Sequence, residues 1–193
     1  MSTHPADRHL RADARRNRER VLEAADALFA EVGLRAGVED IAQRAGVGVG
    51  TVCRNFPTKE HLIAELLNAR GEALLAEARA ALAAPDAGPA FERFVAVAAA
   101  SSLSYRALAE EIANGTVPVR EDLKSEVHDA LDQLVRRAQE AGALRTDVTG
   151  ADIKLLLSGL AQATVAAGAE GSLDRFVRVM LDGLRPSAAT TTR

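Results

Sequence analysis

Apolar side chains recur every three to four positions along most of the chain, and no segment alternates as a strand would, so the pattern predicts helices throughout. The clearest helix runs from about Arg15 to Val32. There Val21, Leu22, Ala25, Leu28, Phe29 and Val32 share one face, and Gly33 follows as a left-handed cap. A short helix is expected over Val38–Ala45, with Ile41, Ala42 and Ala45 inward and Glu39 and Asp40 in its electropositive first turn. Gly46 stops it, Val47 bridges, and another short helix is expected over Gly48–Phe56. Pro57 interrupts the pattern, and Thr58 is placed to cap a long helix from Lys59 to about Leu82.

Beyond the break "APDAGP" (84–89), helices are expected over Ala90–Asn114 and Arg120–Ala141, with "GTVPV" (115–119) turning between them. Thr149 stands three residues before Asp152, a capping-box spacing that introduces a helix over Ile153–Gly168. A last helix holds Leu173, Phe176, Val177, Met180, Leu181 and Leu184, and "PSAATTTR" reads as a loose, disordered tail over 186–193. The expected fold class is all-α.

Composition supports this. The 193 residues are 48% hydrophobic but only 3% aromatic and lack Trp, so Ala, Leu and Val must build the core, and Ala and Leu favour helix. No apolar run reaches the length of about 18 residues that spans a bilayer, and the polar N-terminus lacks a signal-peptide core. A single cysteine, Cys53, gives no internal disulfide, and the expected location is the cytoplasm. Charge is uneven along the chain. Residues 1–20 carry six arginines against three acidic residues, whereas beyond Lys59 fourteen basic residues face nineteen acidic ones. A basic start on an acidic body suggests that one end meets a polyanion.

The stretch "AGVGVGTVCRNFPTKEHL" (45–62) could serve either of two chemistries, a phosphate cradle or the corner between two short helices. A dinucleotide fingerprint needs a strand before its glycines, and here "VEDIAQRAG" has helical spacing. A Walker loop needs Gly-Lys-Ser/Thr at its end, which is missing. A helix-turn-helix accounts for more residues: Ile41, Ala42 and Ala45 can pack on Val47, Val52 and Phe56, and Gly46 suits a positive-φ corner. Val49, Gly50, Cys53 and Arg54 are then left on the outward face of the second helix.

The pieces "ALFAEVGL", "VEDIAQRAGVGVGTVCRNF" and "FPTKEHLIAEL" stand in the order seen in TetR-type transcriptional regulators, and residues 16–67 resemble that family. The resemblance implies a basic flexible arm over 1–14, an N-terminal three-helix helix-turn-helix DNA-binding domain over 15–67, and a larger helical effector-binding and dimerisation domain over 68–185. It further implies that Thr51, Arg54 and Asn55 hold phosphates of a double-stranded DNA operator, with Lys59 meeting another at the start of the long helix. Val49 would touch a thymine methyl, Gly50 and Cys53 would lie near base edges, and Arg15 and Arg16 would add backbone or minor-groove contacts. The chain departs from the family pattern at Cys53, where Tyr is usual, at Gly48 and Val49, where Ser and Lys are common, and at Gly37, where Thr is usual.

Members of such a family resemble two-fold dimers reading two half-sites. The last two helices offer a homodimer face in Leu155, Leu156, Gly159, Leu160 and Ala163 with Phe176, Val177, Met180 and Leu181. The middle helices are expected to enclose a small, mostly apolar effector, with Phe91, Phe94, Ser101, Tyr105 and His128 as the residues to watch. His4, His9, His61 and His128 are scattered and form no zinc pattern with Cys53, and no catalytic constellation, metal site or cofactor motif stands out. The reading is therefore a ligand-responsive repressor and not an enzyme. The alternative is a helical small-molecule or partner-binding protein with weakened DNA recognition.

Overall fold

The structure is a computed structural model, and it describes residues 5–105, 117 and 120–186. Among the described residues there are eight α-helices and no strand: α1 (Pro5–Val32), α2 (Val38–Ala45), α3 (Val49–Asn55), α4 (Lys59–Ala83), α5 (Ala87–Tyr105), α6 (Glu121–Glu140), α7 (Gly150–Ala166) and α8 (Leu173–Leu184). Short 3-10 turns at Gly33–Arg35 and Glu170–Ser172 punctuate them. None of these helices is long and apolar enough to cross a membrane.

The first helix departs from expectation. It starts at Pro5 rather than near Arg15, so the segment read as a flexible arm is helical from Pro5 onward. Apolar periodicity gives no signal here, because Leu10 is the one large aliphatic residue in the sequence from Pro5 to Ala14. Ala and Arg are good helix formers, and Asp13–Arg16 and Arg15–Glu19 pair along the helix at the spacings that support it. Thr149 works as its spacing predicts. Its hydroxyl accepts from the Asp152 N–H at 3.3 Å, the Asp152 carboxylate accepts from the Thr149 N–H at 2.9 Å, and the cap starts α7 at Gly150. The Thr149 hydroxyl also donates to the Asp152 carboxylate at 2.7 Å, and this bond first, then the one from the Thr149 N–H, holds the Asp152 carboxyl below its usual range. The continuation of α5 expected to Asn114, and the tail from residue 187, lie outside the described residues.

The chain divides into two compact units, Met1–Asn68 with Ala107–Val119, and Ala69–Arg106 with Arg120–Arg193. In the first, α1, α2 and α3 contact one another, and Val21, Ala25, Phe29, Ile41, Ala42, Val52, Phe56 and Leu62 are buried. In the second, α5 packs against α6, α7 and α8 over a core of Phe91, Phe94, Val95, Leu134, Leu144, Ile153 and Leu157. The end of α4 is held by one side chain. Arg137 of α6 donates to the carbonyls of Ala81 (2.9 Å), Leu82 (3.0 Å) and Pro85 (3.2 Å), and to that of Ala84. The Ala81 carbonyl also accepts from the Ala84 N–H at 3.3 Å, and the guanidinium adds donors where the helix terminus runs short of them.

Candidate nucleic-acid interface

The corner between α2 and α3 is set by one residue. Gly46 adopts φ 64°, ψ 38°, which a side chain would resist. Its N–H donates to the Gln43 carbonyl at 3.2 Å, and the Val47 N–H reaches back to Ala42 at 3.0 Å. These bonds close α2 as a left-handed cap does and turn the chain away. Arg20 of α1 donates to the Gly46 carbonyl at 3.3 Å. Gly48 then takes extended backbone, and its carbonyl receives the N–H groups of Thr51 (2.8 Å) and Val52 (3.3 Å), which opens α3.

Burial divides α3 in two. Val52 is buried, as is Phe56 just beyond the helix, whereas Val49, Gly50, Cys53 and Arg54 are exposed. A Cβ placed on Gly48 or Gly50 would meet nothing within 4 Å. The outward face is therefore shallow. Thr51 and Asn55 sit half-buried at its edge, where the Asn55 amide donates to the Thr51 carbonyl at 2.8 Å. Arg54 Nε donates to the Gly50 carbonyl at 3.0 Å. Arg15 and Arg16 are exposed on α1 and, among the described residues, pair with the neighbouring carboxylates of Glu19 and Asp13, partners that a phosphate could replace at small cost.

Lys59 does something other than the sequence implied. Its half-buried ammonium turns away from solvent, donating to the carbonyls of Leu34 and Ala36 (3.2 Å) and lying 5.8 Å from the centre of the Phe29 ring. It ties the start of α4 to the turn after α1. Arg18 plays a similar part, pairing with Glu65 and stacking 5.4 Å over Phe56.

Two family models match this chain. One, described as bacterial regulatory proteins of the tetR family, covers residues 21–66. The other, a transcriptional regulator SbtR-like C-terminal domain, covers residues 86–186. Among solved structures, a TetR transcription regulatory protein from Mycobacterium vanbaalenii is 37% identical, with 92% of this chain and 99% of that one covered and a TM-score of 0.71. A TetR transcriptional regulator from Streptomyces coelicolor is 30% identical over 89% of this chain and 99% of its own, with a TM-score of 0.74. This chain belongs to the TetR family. A TetR-family regulator from Thermus thermophilus, 22% identical over 86% of this chain and 99% of its own with a TM-score of 0.61, shares the fold. No curated protein sequence matches.

TetR-family regulators bind DNA operators and small-molecule effectors and act as dimers. In this member the residues singled out for an effector are not brought together. Phe91 and Phe94 are buried in the core of the second unit, because an apolar stripe fixes which face turns inward but not whether protein or ligand meets it. Ser101 lies in a groove of about 380 Å³ with Arg70, Ala73, Leu74, Glu77, Val97 and Ala100, between α4 and α5. His128 lines a different groove, of about 490 Å³, between α6 and α7. There its Nε2 accepts from the Lys154 ammonium at 2.7 Å, and burial first, then Lys154 and Lys124, push the imidazole below its ordinary pKa. The side chain of Tyr105 lies outside the described residues.

On the last two helices, Leu156, Gly159 and Ala163 are exposed, and Leu160, Phe176, Met180 and Leu181 are half-buried. Val177 is an exception. It is buried in the protomer's own core, one position round the helix from the exposed face, and is not available to a partner. Leu155 is 73% exposed, and one residue not anticipated belongs with the same exposed face, Val179, 66% exposed. Val179 stands three positions after Phe176, a spacing that could have placed it there.

Proposed function

We propose that the chain is a ligand-responsive repressor that binds a double-stranded operator as a two-fold dimer and is released by a small, mostly apolar effector. The observation that carries this reading is the division of α3. Val52 and the neighbouring Phe56 anchor it, and Val49, Gly50, Cys53 and Arg54 are left free on a shallow face suited to a major groove. Thr51 and Asn55 flank that face, and Arg15 and Arg16 add charge for the phosphates. Lys59 acts on DNA only through the structure it holds in place.

Dimerisation joins Leu155, Leu156, Gly159 and Ala163 of α7 to Phe176, Val179 and Met180 of α8 in a self-paired four-helix arrangement. Large apolar side chains so exposed are unusual on a protomer that stays alone, and the small residues at 159 and 163 permit close approach. The effector binds in the second unit, and the groove holding Leu74, Val97 and Ser101 offers an apolar wall with a hydroxyl. Effector and operator are then thermodynamically coupled, each weakening the other by the same factor.

The test is fluorescence anisotropy with duplexes tiling the DNA around the protein's own gene. The expected result is saturable binding of two protomers to one duplex in excess random competitor. Equal binding to all duplexes, abolished by competitor, would overturn the reading and favour a helical binding protein whose DNA end no longer recognises sequence. A reporter under the bound promoter, rising when the gene is deleted, gives the sign of regulation.

A further inference from the structure

We propose that Arg54 reads a guanine in each operator half-site, through the free Nη edge of its guanidinium, and that it supplies most of the hydrogen-bonded sequence discrimination of this chain. The proposal rests on the DNA-binding reading above and adds which base is read, and by what. Of the α3 side chains, Val49, Gly50, Cys53 and Arg54 are exposed. Val49 and Gly50 offer no polar side-chain atom and Cys53 only a weak thiol donor, so Arg54 alone among these carries strong hydrogen-bonding groups.

Its guanidinium is already oriented. Nε is bound to the Gly50 carbonyl, 3.0 Å away and one turn earlier, and among the described residues Nη1 and Nη2 have no partner. An Arg held at Nε presents its two Nη groups as a parallel donor pair. That pair matches guanine, whose O6 and N7 acceptors lie side by side in the major groove; adenine, thymine and cytosine present no such pair of acceptors.

Position favours a base over a phosphate. The hydrogen bond lays the guanidinium beside Gly50, a residue without a side chain and with open space where a Cβ would stand. Gly48 is open in the same way. Lacking bulk at both positions, α3 can settle deeper into a groove than a helix with side chains there, which brings the Arg54 fork to the base edges. Asn55, the other α3 side chain with N–H donors, is half-buried and turned back on Thr51. The exposed Val49 adds an apolar surface that would favour a thymine methyl nearby.

The experiment selects binding sites from a duplex library with a randomised centre, using full-length wild-type protein, Arg54→Lys and Arg54→Ala. Arg54 is exposed and contributes nothing to the core, so both variants should fold, as circular dichroism would verify. Wild type is expected to enrich one invariant G·C pair per half-site. Arg54→Lys keeps the charge but not the fork. It should lose the G preference by about 5- to 150-fold while its salt dependence on random DNA stays as in wild type. Replacing that guanine by 7-deazaguanine, which lacks N7, should weaken wild type and leave Arg54→Ala unchanged.

The proposal is overturned if Arg54→Lys selects the same bases with wild-type affinity. It is overturned equally if Arg54→Ala keeps the wild-type consensus and loses only salt-dependent affinity, the mark of a phosphate contact. A wild-type chain that enriches no sequence would overturn the DNA-binding reading itself, and this proposal with it.

Discussion

The Lys59 ammonium donates to the carbonyl of Ala36, 3.2 Å away and 23 positions earlier in the chain, and holds the first turn of α4 against the loop that precedes α2. A cation in that place is structural first. Replacing Lys59 by Met removes a charged donor from two carbonyls at a half-buried position, and should cost about 1.5–3 kcal/mol of stability in the first unit. Urea unfolding would measure the loss. The salt slope for random DNA, measured on protein that remains folded, should not change, whereas a cation that neutralised a phosphate would on removal lower the slope by about 0.9.

Gly46 and Gly50 should respond to alanine with opposite signs. At Gly46 the left-handed backbone resists a Cβ, so Gly46→Ala should destabilise by about 1–2 kcal/mol. At Gly50 the helix is ordinary and the space open, so Gly50→Ala should stabilise by up to about 1 kcal/mol. The same methyl adds bulk to the face that must approach DNA, so specific binding should fall as thermal stability rises. A Gly50→Ala protein with unchanged operator affinity would contradict the shallow-face argument.

His128 makes stability depend on pH in a fixed direction. Burial and the nearby Lys154 and Lys124 lower its pKa, against smaller opposing effects from Asp132 and a hydrogen bond to the Lys124 backbone. The unfolded chain, with an ordinary value of about 6.5, then binds the proton more readily than the folded one. Stability should therefore rise with pH through the interval between the lowered value and about 6.5, and be complete above it. Unfolding at pH values from about 5 to about 7.5, a range that brackets the ordinary imidazole value, should give a smaller slope for His128→Gln than for wild type. Parallel profiles would refute the assignment.

Val179 on α8, exposed in the protomer, should be intolerant of charge in the assembly. Val179→Glu should leave the helical signal intact, shift the mass in sedimentation from dimer toward monomer, and weaken operator binding. Val177→Ala should behave otherwise. As a core truncation it should lower stability by about 1–3 kcal/mol without a specific effect on association.

The extent to which these features were legible in the sequence follows from how local their causes are. The bounds of α2 follow from Glu39, Asp40 and Gly46, and the start of α7 from Thr149 and Asp152, all signals within a few residues. The outward set Val49, Gly50, Cys53 and Arg54 was equally readable, because one helical face is decided by spacing. Lys59 was not. A basic residue at a helix start looks the same whether it meets a phosphate or a distant carbonyl, and only tertiary folding brings Leu34 and Ala36 to it. For Phe91 and Phe94 the sequence reaches only as far as their burial, since periodicity marks a buried face without saying what covers it. The early turns of α1 leave no hydrophobic signature that periodicity could detect.

Arg137 and its four carbonyls carry a practical lesson for anyone re-engineering the chain. The segment "APDAGP" has the composition of a tolerant linker, the sort of place chosen for a tag, a nick or new termini. Yet Ala84 and Pro85 lend their oxygens to a guanidinium that also secures Ala81 and Leu82. An insertion there would uncouple that clasp and unravel the last turn of α4, so proteases should spare this connection and domain grafts should be placed elsewhere.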